Sequence, residues 1–292
     1  MPRTSRAGLG PAGLTGRVAV ITGGGSGLGL AIARLLAAHG ARVLIAGRDD
    51  ERLERAAELL RHEGLDVRAR QCDVTDREQV FALAADALRR WDRIDIWVNN
   101  AGQAGVFGPV RRGPEKPFLA TTDTVIRGTY FGSLAALDAM APRGGDLVNL
   151  LGRGDDGPVE NQAAYGSAKA WVRAFTAALA SEQQGSGVRV HAFNPGLVRT
   201  DLLGRVTSVR GYAGALQRLS GVVAVLGRGP DEAAAALLPL LGTERREYRA
   251  LAAPRALAVA ARNLLDRVRG QPAPRLVVEV IEVDDRPEAS GG

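Results

Sequence analysis

The chain has 292 residues, 46% hydrophobic and 24% charged, which suits one large globular unit or two small ones. Its formal charge is +6, but the arginines that make the surplus are scattered beside Asp and Glu, and no basic segment is interleaved with aromatics, so nucleic acid is not an expected partner. No run of about 18 apolar residues predicts a membrane span, and the single cysteine, Cys72, excludes an intrachain disulfide framework and fits a reducing cytoplasm.

Residues 1–14 lack the apolar core of a secretory signal and read as a disordered leader. An apolar run, Val18–Ile21, then predicts a strand. It is followed by Thr22-Gly23-Gly24-Gly25-Ser26-Gly27-Leu28-Gly29, a helical pattern over Leu28–His39 and a second strand over Val43–Ala46. Strand, glycine turn, helix and strand form the opening unit of a dinucleotide-binding fold. Glycine has no Cβ, so the turn can be tight and can approach a pyrophosphate, which the N–H groups and dipole of the helix then favour.

The alternation continues. Strands are predicted at Val67–Gln71, Ile94–Val98, Leu147–Leu150 and Arg189–Phe193, and helices at Glu51–His62, Arg77–Arg90, Thr122–Met140 and Asn161–Gln183. Short apolar strands between amphipathic helices predict an α/β doubly wound parallel sandwich, a Rossmann fold in a single domain over 15–252. A helical pattern over Pro254–Arg269 and a strand over Leu276–Val283 form an extension within 253–292, and that strand needs a sheet edge, which a neighbouring chain could supply.

Two further clusters stand out: Asn99-Asn100-Ala101-Gly102 after the fourth strand, and Tyr165-Gly166-Ser167-Ala168-Lys169. Taken in order with the glycine turn and Asn194-Pro195-Gly196-Leu197-Val198-Arg199-Thr200, the chain closely resembles the short-chain dehydrogenase/reductase family over about residues 14–250. The resemblance implies an oxidoreductase. Tyr165 would exchange a proton with the substrate oxygen while hydride moves to or from a nicotinamide. Lys169, on the same helix face, would lower the tyrosine pKa and bind the nicotinamide ribose. The cofactor set it implies comprises Gly23, Ser26, Gly27, Leu28, Gly29, Asp73, Val74, Asn100, Ala101, Gly102, Tyr165, Lys169, Pro195, Gly196, Val198 and Thr200, with Asn99 tying the central strands together. Asp73 could instead be a turn residue, and Thr200 a helix cap. The family's dimers and tetramers imply a homo-oligomer.

The cofactor expected is NADP(H) rather than NAD(H). Where NAD-preferring relatives carry an acidic residue at the end of the second strand, this chain has Gly47 followed by Arg48, whose guanidinium suits a 2′-phosphate. Asp49 and Asp50 are close enough to pair with Arg48 instead. The lysine is notable in itself, because arginine serves almost everywhere else and Lys116 and Lys169 are the only lysines.

Departures from the family pattern bear on mechanism. Gly152 stands where most active members carry a serine that holds the substrate oxygen, and Val125 stands at an asparagine position that helps hold a water wire from the lysine. Arg153, Asn161, Gln162, a backbone N–H of the glycine-rich loop, or the substrate itself could replace the serine. The same fold could alternatively perform dehydration or isomerisation, or sense NADP(H) without catalysis. Arg111, Arg112 and Lys116 in the loop Gln103–Phe118 form a solvated rim or face an acidic substrate. The apolar segment Gly196–Gly227 suggests a hydrophobic ligand, unless it makes core or a subunit contact. The extension helix packs on its own domain or on a partner subunit, with a membrane-surface helix as the alternative.

Overall fold

Alternate side chains of each central strand serve opposite layers, and this pattern builds the sandwich. In β1 (Val18–Thr22), Ala19 and Ile21 pack on α1 (Gly27–Ala38) and α2 (Asp50–His62). Val20 points the other way, into the core formed with α3 (Arg77–Trp91), α4 (Glu115–Met140) and α5 (Ala163–Glu182). The strand β2 (Arg42–Gly47) repeats this, with Val43 and Ile45 on the first side and Leu44 and Ala46 on the second. A strand buried on both faces needs apolar residues at every position, which is why these segments read as unbroken hydrophobic runs. The structure, a computed structural model, describes residues 13–200, 205–251, 253–268 and 279–283. Most of the expected leader lies outside those residues, but Leu14 is 1% exposed in the core and its N–H bonds His39, so the fold includes it.

With β3 (Val67–Gln71), β4 (Ile96–Asn99), β6 (Gly145–Leu150), β7 (Val188–Asn194) and β9 (Glu247–Arg249), these strands form one seven-stranded parallel sheet in the order β3-β2-β1-β4-β6-β7-β9. Chain direction across the sheet reverses between β1 and β4, which opens a crevice at their carboxyl ends. The Rossmann-type sandwich expected from sequence is therefore present.

Three readings are corrected. The helix expected over Thr122–Met140 starts at Glu115, so the segment Gln103–Phe118 is not all loop: it holds β5 (Val106–Phe107) and the first turn of α4. The strand expected at Ile94–Val98 runs Ile96–Asn99. The extension strand does not wait for a neighbouring chain. Its described part, β10 (Glu279–Val283), pairs in parallel with β8 (Arg205–Val209), which also pairs β5, giving a second, three-stranded sheet within one chain. That sheet follows the loops leaving β4 and β7, so it lies over the site end of the main sheet. Beneath it Phe107, Val206 and Leu216 of α6 (Ala213–Leu226) form a small separate core with Tyr212. The extension helix α8 (Ala253–Val268) is held to its own domain. Arg262 pairs in bidentate fashion with Glu232 of α7 (Pro230–Ala235), and Asn263 Nδ2 donates to Val225 O.

At the opposite end of the sheet Asp146 is fully buried. Arg189 donates to it twice at 2.9 Å, Gly242 N donates at 3.0 Å, and His191 Nε2 lies 2.9 Å away. Burial pushes this carboxyl up, but the hydrogen bonds from His191 and Arg189 outweigh burial and hold it at about 2. A carboxyl depressed in the folded state stabilises the fold above its unfolded value, near 4, and stops doing so as pH falls through its folded value. Urea unfolding at pH 7 should show Asp146→Asn costing about 3–5 kcal/mol, the range for breaking a buried charged network. The wild-type advantage over that variant should fade between about pH 4 and pH 2. A cost below about 1 kcal/mol would place the cluster among inconsequential ion pairs.

Candidate active site

The glycine turn is fixed by the end of β4. Thr22 closes β1, and its hydroxyl donates to Val98 O (3.4 Å) while accepting from Asn100 N (3.1 Å) and Ala101 N (3.2 Å). Asn100 Nδ2 donates to Thr22 O and Gly23 O at 3.0 and 3.1 Å. Gly23 has φ +67°, and a Cβ there would lie 2.9 Å from Ala101 Cα. A Cβ on Gly29 would overlap Gly23 O, so the turn can fold onto the first turn of α1 only with glycine at 29. Ser26 is the N-cap of α1 but makes no side-chain capping bond, so the helix start presents its N–H groups at the turn. Sequence reading passed over Thr22, whose signal was a hydroxyl directly before the glycines.

One residue earlier, Asn99 joins the central layers. It accepts from Trp97 Nε1 (2.8 Å) and donates to Asn149 Oδ1 (2.8 Å) and toward Ser133 Oγ (3.3 Å), and Asn149 donates to Thr176 Oγ1 (3.0 Å). This buried chain spans β4, β6, α4 and α5. It is the role expected for Asn99.

Tyr165 and Lys169 sit one turn apart on α5, beside the last residues of β6. Lys169 is 5% exposed and donates from Nζ to Leu150 O at 2.7 Å, with Nζ 5.7 Å from the Tyr165 ring centre. The Tyr165 hydroxyl occupies the space into which a side chain at 152 would grow, and a Cβ there would also lie 3.5 Å from Lys169 Cε. Burial pushes Tyr165 up to about 12, with the Asp155 carboxylate adding to the rise. Burial also draws Lys169 down to about 8, against an opposing pull from Asp155. In this arrangement the Lys169 ammonium is turned to a carbonyl, and desolvation governs the phenol.

These two residues, Leu28, Asn100, Gly102, Gly152 and Arg153 line one pocket together with Gln162, Pro195, Gly196, Val198 and Thr200. Gly196 needs its φ of +77°, and Thr200 closes over the turn with its side chain 3.2 Å from the Cβ position of Gly27. Val125 is fully buried among Leu151, Ala168 and Val172 beside this pocket. Asn161, in a left-handed conformation with φ 62°, lines a neighbouring pocket with Glu160 rather than the one holding Tyr165. Asp73 lies apart, its Oδ1 accepting from Thr75 N and Thr75 Oγ1 at 2.9 and 2.8 Å, which is the turn arrangement considered for it. Val74 is 5% exposed and meets α4 at Gly128. Arg48 is exposed at the end of β2 and forms no ion pair among the described residues, while the Asp49 carboxylate caps α2 by accepting from Arg52 N at 3.0 Å. The pairing of Arg48 with Asp49 weighed from sequence is absent.

The sequence had not singled out Asp155 and Arg249. Asp155 is 5% exposed and accepts from Asn194 Nδ2 (3.2 Å) and from both terminal nitrogens of Arg249 (3.3 and 2.9 Å). Arg249 also reaches Glu247 and Asp156 at 2.8 and 3.1 Å. The only hint in the sequence was an acidic pair following the glycine-rich turn.

Residues 17–210 match the short chain dehydrogenase family. A granaticin polyketide synthase putative ketoacyl reductase of Streptomyces violaceoruber is 37% identical over 203 residues, 68% of this chain and 74% of that protein. An alcohol dehydrogenase from the archaeon Thermococcus sibiricus, complexed with 5-hydroxy-NADP, superposes with TM-score 0.69 at 28% identity, covering 80% of this chain and 95% of its own. A metagenomic short-chain oxidoreductase in complex with NADP superposes at 0.66 with 27% identity, over 81% and 96% of the two chains. The chain belongs to the short-chain dehydrogenase family of oxidoreductases, whose members bind nicotinamide cofactors and act on small molecules.

Proposed function

We propose that this protein interconverts a carbonyl and an alcohol on a mostly hydrophobic small molecule, using NADP(H). The observation that carries the reading is the convergence of Tyr165, Lys169, the glycine turn and the 195–200 loop on one pocket at the carboxyl ends of β1, β4, β6 and β7. The residues fit a dinucleotide. Glycine at 23 and 29 lets the turn pack directly on Ala101 and on the first turn of α1, where a Cβ would clash, and the tight turn opens onto a helix start whose capping side chain is idle. When bound, the nicotinamide supplies hydride in reduction and accepts it in oxidation.

This chain's own residues would do the rest. Gly23, Ser26, Gly27, Leu28 and Gly29 would hold the pyrophosphate. Asn100, Ala101, Gly102, Pro195, Gly196, Val198 and Thr200 would hold the nicotinamide half, and Asp73 and Val74 the adenine. Lys169 would anchor the ribose through its ammonium. Tyr165, with its phenol pushed up, stands protonated at neutral pH and is set to donate a proton from Oη to a carbonyl oxygen as charge develops there. No serine hydroxyl is available at Gly152 to share that oxygen. Gln162 and Arg153 line the same pocket, and the Gln162 side chain makes no capping bond at the start of α5, which leaves its amide available as a donor. NADP(H) over NAD(H) is supported by Arg48, a guanidinium with no ion pair among the described residues, standing where an acidic residue would repel a 2′-phosphate.

Fluorescence titration with NADPH and NADH tests the cofactor. NADPH should bind at least about tenfold tighter, and Arg48→Ala should reduce that preference while leaving NADH binding nearly unchanged. Equal affinities in the parent protein would overturn the Arg48 argument. On a panel of aliphatic and aromatic ketones, Tyr165→Phe should lower NADPH-consuming turnover by about 10²–10⁴-fold while NADPH still binds. Turnover surviving that change would remove Tyr165 as the proton donor.

A further inference from the structure

The turn leaving β6 brings a buried carboxylate to the wall of the site. Asp155 N donates to Gly152 O at 3.2 Å, closing a tight turn over 152–155. At its start, Gly152 abuts the Tyr165 hydroxyl and Lys169. At its third residue, Gly154 has φ +96° and packs directly on Gly166, the residue after Tyr165. Asp155 is thus fixed against the α5 turn that carries both groups, and it is 5% exposed.

Lys169 is equally buried, and the hydrogen-bond acceptor it meets is a neutral carbonyl, Leu150 O. A desolvated ammonium held only by a dipole is costly unless an anion stands near it. The charged groups around the pair are few. From the loop after β6 come Arg153, which is exposed, and Asp155. Glu160 and Asp156 are exposed in the adjoining pocket. From β9 come Arg249 and Glu247, and from α5 itself Arg173, one turn beyond Lys169 and paired with Glu247 at 3.2 Å. Of these carboxylates Asp155 alone is buried; it lines the adjoining pocket and is tied to the Lys169 pocket by the 152–155 turn.

We infer that Asp155 is a positioning residue: clamped by Arg249 and Asn194, its carboxylate is the counter-charge that keeps Lys169 an ammonium in the closed site. Arg249 holds Asp155 in place, and its remaining contacts to Glu247 and Asp156 leave it paired if Asp155 is neutralised. Asp155 raises the pKa of both Lys169 and Tyr165, so removing its charge lowers both. The assignment rests on the proposed function only for its consequence in turnover; the electrostatic coupling stands without it.

The chain's two lysines, Lys116 and Lys169, make the test direct. Protein labelled with ¹³Cε-lysine gives one side-chain signal for each, and Lys116→Arg assigns them. In the parent protein Lys169 should titrate at about 8. Asp155→Asn should move that midpoint down by about one pH unit, whereas Asp156→Asn, at an exposed and screened site, should leave it within about 0.2. The double variant Asp155→Asn/Arg249→Met removes both members of the pair and should also shift the midpoint down. Circular dichroism confirms the fold of each variant. A Lys169 midpoint unchanged in folded Asp155→Asn or in the double variant would overturn the assignment, as would an equal shift from Asp156→Asn. These titrations need neither cofactor nor substrate. Failure to bind NADPH would therefore defeat the proposed function alone, and an unmoved midpoint in a protein that binds NADPH would defeat this inference alone. Where turnover is found, its alkaline limb in the reductive direction should move to lower pH in Asp155→Asn, by the same amount as Lys169.

Discussion

The Thr22 hydroxyl is the joint on which the site depends. Chain direction across the sheet reverses between β1 and β4, so the loops leaving them diverge and a crevice must open there. A crevice is useful only if its two lips are held in register. Thr22 does this with one oxygen, giving its proton to Val98 O and receiving the N–H groups of Asn100 and Ala101. Asn100 returns the bond to the backbone of Thr22 and Gly23. The glycine turn is thereby fixed by its neighbour across the crevice as well as by its own φ angles. Behind it, the Asn99–Asn149–Thr176 chain extends the same cross-strand logic through β6 to the helix that carries Tyr165 and Lys169. Asn99 and Asn149 are buried and Asn100 is half-buried, and each is hydrogen-bonded, so a shift of one lip leaves a polar group unpaired.

Much of this was legible in the sequence. Strands buried on both faces announce themselves as apolar runs, and the glycine turn declares its own backbone. What stayed hidden was hidden for physical reasons. The start of α4 is masked by Gly113, Pro114 and Pro117, breaker residues that signal a loop. In the structure Pro117 falls in the first turn of the helix, where proline is tolerated, and the hydroxyl of Thr121 donates to Pro117 O at 2.8 Å. The strand β5 has two residues, too few for any periodicity. β8 lies inside an apolar stretch that reads equally well as a cover for substrate. The Asp155–Arg249 pair joins residues 94 positions apart, a distance no local pattern encodes.

The second sheet changes how the site is enclosed. Sequence suggested a cover made from the segment after β7 alone. Instead that segment contributes β8, the loop after β4 contributes β5, and the extension contributes β10, with β8 in the middle. Three separate connections are thus tied together by the backbone hydrogen bonds of one small sheet. The extension strand solves its own edge problem by pairing in cis, which also removes the simplest reason for expecting a partner chain at that place.

Gly152 is best understood together with Tyr165. Glycine at this position leaves space that the tyrosine hydroxyl occupies, and a Cβ there would overlap it. The phenol is deeply desolvated, which holds its proton firmly, and the Asp155 carboxylate on the turn that starts at Gly152 adds to the rise. The glycine, the raised tyrosine, the buried lysine and the clamped carboxylate therefore form one set in which each explains the next. A side chain placed at 152 would collide with the Tyr165 hydroxyl, so the phenol can keep this position only while 152 remains glycine.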